Sequence, residues 1–483
     1  MARGHHRNLG QPMRREQLRQ RQADRNVPTT AVRLLSMIVS SVLPLDLTED
    51  KNFLSFVNEL NSSELIPPMS LIHLLLHEAY NKKKEELRHT LSSTEDVVLT
   101  CELWSSGPGD SFLSVACHLV DRFGKLKSFM LKTTSLFGDE SAANIQTQLS
   151  AIMEAWSLTG KVHSVVRAGM PQLKDVKTKW MHMPCFADTL NGVCKDLMQD
   201  AELQGVLRKC QNIVQFFKYD PEAERELQDS RVCRDLPQYQ LVLYTGHCLL
   251  AWLDVLQQLV PQDNLMATVL TKRGKMELIL NEDETQRIQK LVSALKPLKE
   301  VTSAMDSKGF QTISVMLPLL MKLMGTLQEE SKRKNVIAQQ LLHKCRRQFG
   351  DVNKNYLAPF TFLDPRFKDQ LGDINRKLAT QKIIEELAAG TPSSTRQIQA
   401  VLDQYMAYKP TAHTSNPLAW WRNTGKQRFG ELSRLALKKL CVVSTVVPLE
   451  RAFSSAGERF NDRRSSIEAE NLNKILFLHG NSC

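Results

Sequence analysis

A chain of 483 residues, 42% of them hydrophobic, holds enough apolar side chains for two or three structural units. Its net charge of +11 favours an acidic partner, nucleic acid first. No apolar run reaches the ~18 residues of a membrane span, and the ten cysteines, scattered without a Cys-x-x-Cys pair, argue against a disulfide framework or a zinc finger.

The elements follow in chain order. Residues 1–26 carry Arg3, Arg7, Arg14, Arg15, Arg19, Arg21 and Arg25 against Glu16 and Asp24, with no apolar period. This stretch reads as a disordered basic arm, in which Arg14, Arg15, Arg19 and Arg21 are candidate DNA-binding residues or part of a nuclear address. Lys82-Lys83-Lys84 and Lys332-Arg333-Lys334 are further candidate address clusters. Residues 27–93 read as a helical N-terminal region, with Leu34, Leu35, Ile38 and Val42 on one face. Leu71, Leu74, Leu75 and Leu76 follow the Pro67-Pro68 break.

The period then changes. Val97 to Trp104, Phe112 to Val120 and Leu126 to Leu131 are short Val-, Leu- and Phe-rich runs, and the turn signals between them predict a three-stranded antiparallel meander. A helix is predicted over about 142–158, strands over 162–166 and 180–183, and a helix from Phe186 to about Cys210. That order, over residues 94–210, is the first part of an RNase H-like α/β core with a mixed five-stranded sheet. From 211 to 410 the strands vanish. Helical stripes such as Ile288, Leu291, Val292 and Leu295 predict a large all-α insertion, and Pro318 is expected to interrupt the stripe from Met316 to Leu323. Residues 411–483 read as a helical C-terminal region that completes the core.

The most specific block is Pro448-Leu449-Glu450-Arg451-Ala452-Phe453-Ser454-Ser455-Ala456-Gly457. With Pro417-Leu418-Ala419-Trp420-Trp421 and the Leu472, Ile475, Leu476 and His479 stripe, it resembles the C-terminal dimerisation region of hAT-superfamily transposases and their ZBED-type relatives. The resemblance covers most of residues 94–483. It implies a homodimer in which Trp420, Trp421, Phe453, Leu472, Ile475 and Leu476 serve dimerisation or the core. It also implies a metal-binding triad of carboxylates, of which Glu450 would be the third.

The other two positions depart from the family. An Asp-x-Trp motif is represented by Glu102-Leu103-Trp104, which moves the carboxylate out by one methylene. The Val-Val-Thr-Asp-Asn pattern is represented by Val165-Val166-Arg167-Ala168-Gly169, so Ala168 stands where a metal-bridging aspartate belongs, and Arg167 is expected to add a cation there. A Cys-x-x-His element has become Cys185-Phe186-Ala187-Asp188. A Thr-Arg-Trp-Asn-Ser pattern is represented by Thr245-Gly246-His247-Cys248-Leu249. A substitute site would have to draw on Glu102, Asp175, Asp188 and Glu450; the plainer reading of Asp175 and Asp188 is exposed acids on a loop and a helix. No match to the BED zinc finger of ZBED-type proteins is present.

These readings predict a domesticated, catalytically inactive hAT transposase-like protein of the nucleus, with no metal, no other cofactor and no membrane contact. It would form a homodimer, associate with DNA or chromatin non-specifically and serve a transcription-related role. The alternatives are a protein–protein adaptor without DNA binding, and a residual metal-dependent transposase or nuclease.

Overall fold

The structure, a computed structural model, describes residues 28–60, 66–107, 110–174, 176–233, 241, 243–244, 249–306, 312–390, 394–446 and 467–482. Three helices come first: α1 (Thr29–Ser41), α2 (Lys51–Leu60) and α3 (Met69–Ser92). Pro28 and Pro68 stand just before α1 and α3, where a missing amide hydrogen costs no intrahelical bond.

β1 (Val97–Gly107), β2 (Asp110–Val120) and β3 (Leu126–Ser135) form the predicted meander. Helix α4 (Ala142–Ala155) then crosses to β4 (Val162–Ala168), which pairs parallel to β1, and β5 (Met181–Pro184) pairs parallel to β4. The sheet order is β3-β2-β1-β4-β5. β2 is buried from Ser111 to Leu119, polar residues included, because both faces of the sheet are covered. One face, with Leu99, Cys101, Leu113, Val115, Cys117 and Val165, packs under α3 and α4. The other, with Val98, Val166, Ala168 and Met183, merges into the core of the helices that follow.

Those helices are α5 (Phe186–Lys195), α6 (Ala201–Tyr219), α7 (Pro221–Cys233), α8 (Leu249–Leu259), α9 (Asp263–Lys272), α10 (Glu282–Asp306), α11 (Met316–Lys332), α12 (Val336–Phe349), α13 (Asp351–Phe362), α14 (Asp373–Gly390) and α15 (Thr395–Ala407). Next come α16 (Pro417–Trp420), a π turn at Trp421–Gly425, α17 (Lys426–Phe429), α18 (Glu431–Leu440) and finally α19 (Ala469–Gly480). The last helix returns to the sheet. Asn481 accepts from the Met130 amide at 3.1 Å and donates to its carbonyl at 2.9 Å, and Asn473 accepts from Thr133 N at 2.9 Å, so polar side chains serve β3 where a further strand would otherwise pair.

Three expectations are corrected. The strands outrun their apolar cores: β1 continues to Gly107, β3 to Ser135 and β4 to Ala168. Ladder pairing, as between Ser105 and Ser111, needs backbone rather than apolar side chains. The helix predicted from Phe186 to Cys210 is divided, because the Asp200 carboxylate accepts from Leu203 N at 2.9 Å and starts α6 afresh. Pro318 does not interrupt its stripe. It lies in the first turn of α11, where its missing amide hydrogen breaks no bond.

Candidate functional site

β1 and β4 run parallel, so they deliver their last residues to the same end of the sheet. There Glu102 and Ala168 are register partners, with Ser114 of β2 opposite Glu102 on the other side. Paired residues point to one face and neighbouring strands lie about 4.8 Å apart. The Ala168 methyl therefore stands beside the Glu102 side chain. It is 5% exposed and packs with Val98, Val166 and Met183.

Just beyond, Gly169 has φ +71°, and a Cβ there would lie 2.8 Å from the Leu103 carbonyl oxygen. Both the conformation and the close approach of β1 demand glycine. The Gly169 amide donates to Asp188 Oδ2 at 3.2 Å, while the Asp188 amide donates to Cys185 Sγ at 3.5 Å. Asp188, on the first turn of α5, thus ties that helix to the turn after β4. It brings a second, exposed carboxylate to the end of β4.

Successive strand residues face opposite ways, so Arg167 is turned from the face of Glu102 and Ala168. It pairs in register with Cys101, and its guanidinium donates to the Met170 carbonyl. Its charge remains close enough to be felt by His182 and by Tyr356 of α13.

On the Glu102 face lies a buried polar relay. Thr100 Oγ1 meets His118 Nε2 at 2.9 Å, and His118 Nδ1 meets Ser128 Oγ at 2.8 Å. Trp104 Nε1 donates to Ser114 Oγ at 2.9 Å, and Ser114 meets Thr133 Oγ1 at 3.0 Å. Burial pulls the His118 pKa down to about 4, so the ring is neutral at pH 7. Burial raises the Cys101 and Cys117 thiols to about 12, which leaves both protonated at pH 7.

Among the described residues the donor set does not supply the convergent oxygen ligands that two magnesium ions need. Of the three implied positions, Glu102 offers a carboxylate, Ala168 offers no donor, and Glu450 lies outside the described residues. Among the described residues no group of three or more His, Cys, Asp or Glu side chains is arranged to hold a metal ion.

The C-terminal aromatic residues have other duties. Trp421 is fully buried and donates through Nε1 to the Leu363 carbonyl at 2.7 Å; Tyr405 OH donates to the Phe362 carbonyl at 3.0 Å. These bonds anchor the Phe362-Leu363-Asp364-Pro365-Arg366-Phe367 segment, where Arg366 forks onto the buried Asp364 at 2.7 and 2.9 Å. Trp420 is half-buried, edge-on to Trp421 at 4.9 Å. Leu472, Ile475 and Leu476 are buried against α1 and α3 within the same chain. Tyr405 was not legible as an anchor, because its bond to residue 362 leaves no local pattern. Arg14, Arg15, Arg19, Arg21, Phe453, Asp175 and residues 245–248 lie outside the described residues.

Two family models match these regions. The hAT family C-terminal dimerisation region covers residues 401–482, including Tyr405, Trp420, Trp421 and α19. The ZBED1 RNase-like domain covers residues 100–178, including Glu102 and Ala168. In both regions the chain is similar to hAT/ZBED-type proteins. The curated relatives agree. Human zinc finger BED domain-containing protein 4 is 21% identical over 93% of this chain and 43% of its own length. Rice zinc finger BED domain-containing protein RICESLEEPER 3 (Oryza sativa subsp. japonica) is 20% identical over 92% of the chain and 69% of its own length. A protein of Talaromyces stipitatus named as a transcriptional regulator, tpeD, is 20% identical over 41% of the chain and 25% of its own length. The chain thus spans less than half of the human relative. The five-stranded mixed sheet is compatible with the RNase-like match. Among the described residues no helix is long and apolar enough to cross a membrane.

Proposed function

We propose that this hAT/ZBED-type chain is a domesticated transposase-like regulator without catalytic activity. It self-associates through its C-terminal region and acts in the nucleus on DNA or chromatin. On this reading residues 211–410 are an insertion into an RNase H-like core completed by the C-terminal segment, and residues 1–26 form a basic arm.

The observation that carries the reading is the register of Glu102 with Ala168. A methyl group occupies the position at which a bridging carboxylate would need to stand, directly beside the retained acid. The relatives named for BED zinc fingers and for transcriptional regulation support a regulatory role. The match to a dimerisation region supports self-association.

A residual nuclease is the second reading, and Asp188 is what favours it, because its bond to Gly169 brings a carboxylate to the end of β4. One experiment separates the two: nicking of labelled terminal-repeat DNA in Mg²⁺ or Mn²⁺, with Glu450→Gln and Asp188→Asn beside the wild type. Inactive wild-type protein is the expected result. Cleavage abolished by either substitution would overturn the inactive reading.

A further inference from the structure

The strongest concentration of positive charge among the described residues lies away from the sheet. Residues 331–349 contain Lys332, Arg333, Lys334, Lys344, Arg346 and Arg347 and no Asp or Glu. They span the end of α11, the turn and all of α12. Asn335 fixes the turn, accepting from Ala338 N at 3.2 Å and donating to the Lys290 carbonyl at 2.8 Å.

Helix α12 is sharply two-sided. Ala338, Leu341, Leu342, Cys345 and Phe349 are buried, while Gln339, Gln340, His343, Arg346 and Arg347 are exposed. Between α11 and α12 runs a groove of about 580 Å³. Three cations (Lys332, Lys344, Arg346) line it with the carboxamides of Gln328, Gln339 and Gln340, and no carboxylate lines it. Arg346 donates to Gln328 Oε1 across the groove at 3.0 Å, which holds its guanidinium at the rim.

We infer that this groove binds the phosphodiester backbone of a nucleic acid. The inference rests on the DNA-associated reading above but assigns the contact to a folded site instead of the arm. Cations interleaved with amides are the donors that engage phosphate and sugar oxygens. From Gln339 to Arg347 the exposed stripe rises about 12 Å at 1.5 Å per residue, close to three or four nucleotide steps at about 3.4 Å each. A lipid surface fits less well, since membrane-binding helices set apolar side chains beside their cations. Along α12 the exposed side chains are polar or charged apart from Val336 at its first position, a single apolar residue where a membrane-binding helix presents a stripe. A nuclear-address role for Lys332-Arg333-Lys334 also fits less well, because these residues end one helix and lead into the next, with Arg333 paired to Glu330 at 2.8 Å.

The test is fluorescence anisotropy of the full chain on 20-nucleotide DNA and RNA probes, duplex and single-stranded, across a KCl series. The triple variant Lys332→Gln, Arg346→Gln, Arg347→Gln is compared with a control of equal charge change, Lys82→Gln, Lys218→Gln, Lys377→Gln. Circular dichroism verifies that each is folded. The groove variant is expected to weaken binding at least tenfold, and to flatten the log K against log salt slope by about 3, one for each phosphate no longer neutralised. The control should change little, and the four probes decide between DNA and RNA. Equal losses in the two triple variants, or loss only on deleting residues 1–26, would overturn the groove while leaving DNA association standing. No binding to any probe by the wild type would overturn both. Tighter binding of polyglutamate than of nucleic acid would also overturn the inference.

Discussion

His118 shows how one side chain ties stability to pH. Enclosed between Thr100 and Ser128, it is neutral in the fold with its pKa drawn to about 4, whereas an unfolded histidine titrates near 6.5. Between those two values the unfolded chain takes up a proton that the folded chain refuses. Its contribution is therefore complete above pH 6.5 and shrinks as the pH falls towards 4. Urea melts are expected to lose about 2 kcal/mol from this group between pH 7 and pH 5, and His118→Gln should remove that share while His163, whose pKa burial also draws to about 4, keeps its own. A wild-type profile with no slope over this range would show that His118 accepts a proton in the fold. A second residue-scale test concerns Asp364, which also accepts from Ser314 Oγ at 2.7 Å. Asp364→Ala would leave the guanidinium of Arg366 buried without its carboxylate, a loss of about 3–5 kcal/mol readable as a fall in thermal midpoint. An unchanged midpoint would mean that water or another acid reaches Arg366.

At the scale of elements, the turn between β2 and β3 is the informative case. Asp121 Oδ1 accepts from the amides of Phe123 and Lys125, and Gly124 takes φ +72°. A Cβ on Gly124 would meet Ala419 Cα at 2.5 Å, and Asn416 Nδ2 donates to the Gly124 carbonyl at 3.2 Å. Gly124→Ala is expected to cost about 1–3 kcal/mol through strain and overlap, and to raise protease sensitivity around residues 416–421. A variant as stable and as resistant as the wild type would place the turn away from α16. The turn itself was legible, because Arg122-Phe123-Gly124-Lys125 separates two apolar runs, and so was the alternation of strands and helices. Its docking partner, nearly three hundred residues away, left no local signal. The same limit hid the split at Asp200, since an aspartate inside an apolar period looks like any exposed residue until its carboxylate caps a helix. The sheet-end site was half legible. The resemblance pointed to Glu102 and Ala168, but the turn of Arg167 towards the Cys101 face needed the strand to be seen continuing to Ala168, beyond its last β-branched residue.

For the whole molecule, the question is where the proposed self-association would leave the C-terminal helix. In α19 the side chains of Leu472, Ile475 and Leu476 contact α1, α3 and their surroundings in the same chain, and Phe477 packs edge-on to Tyr80 at 4.8 Å. His479 meets the Val39 carbonyl at 3.0 Å. A helix whose apolar face is already covered contributes to a dimer by shaping the surface around it, and its loss unfolds the chain before it frees a monomer. Ile475→Ala should therefore lower stability by about 2–5 kcal/mol, the cost of a cavity in a packed core. The decisive feature is concentration dependence. If α19 is core, the loss in unfolding midpoint is the same at low and high protein concentration, and the folded fraction sediments with the wild-type mass. If α19 is the interface, the variant sediments as a folded monomer, and its deficit appears only at concentrations where the wild type is dimeric. Sedimentation velocity alongside urea melts at two protein concentrations distinguishes these outcomes, and a stable monomeric Ile475→Ala protein would move α19 from the core to the interface.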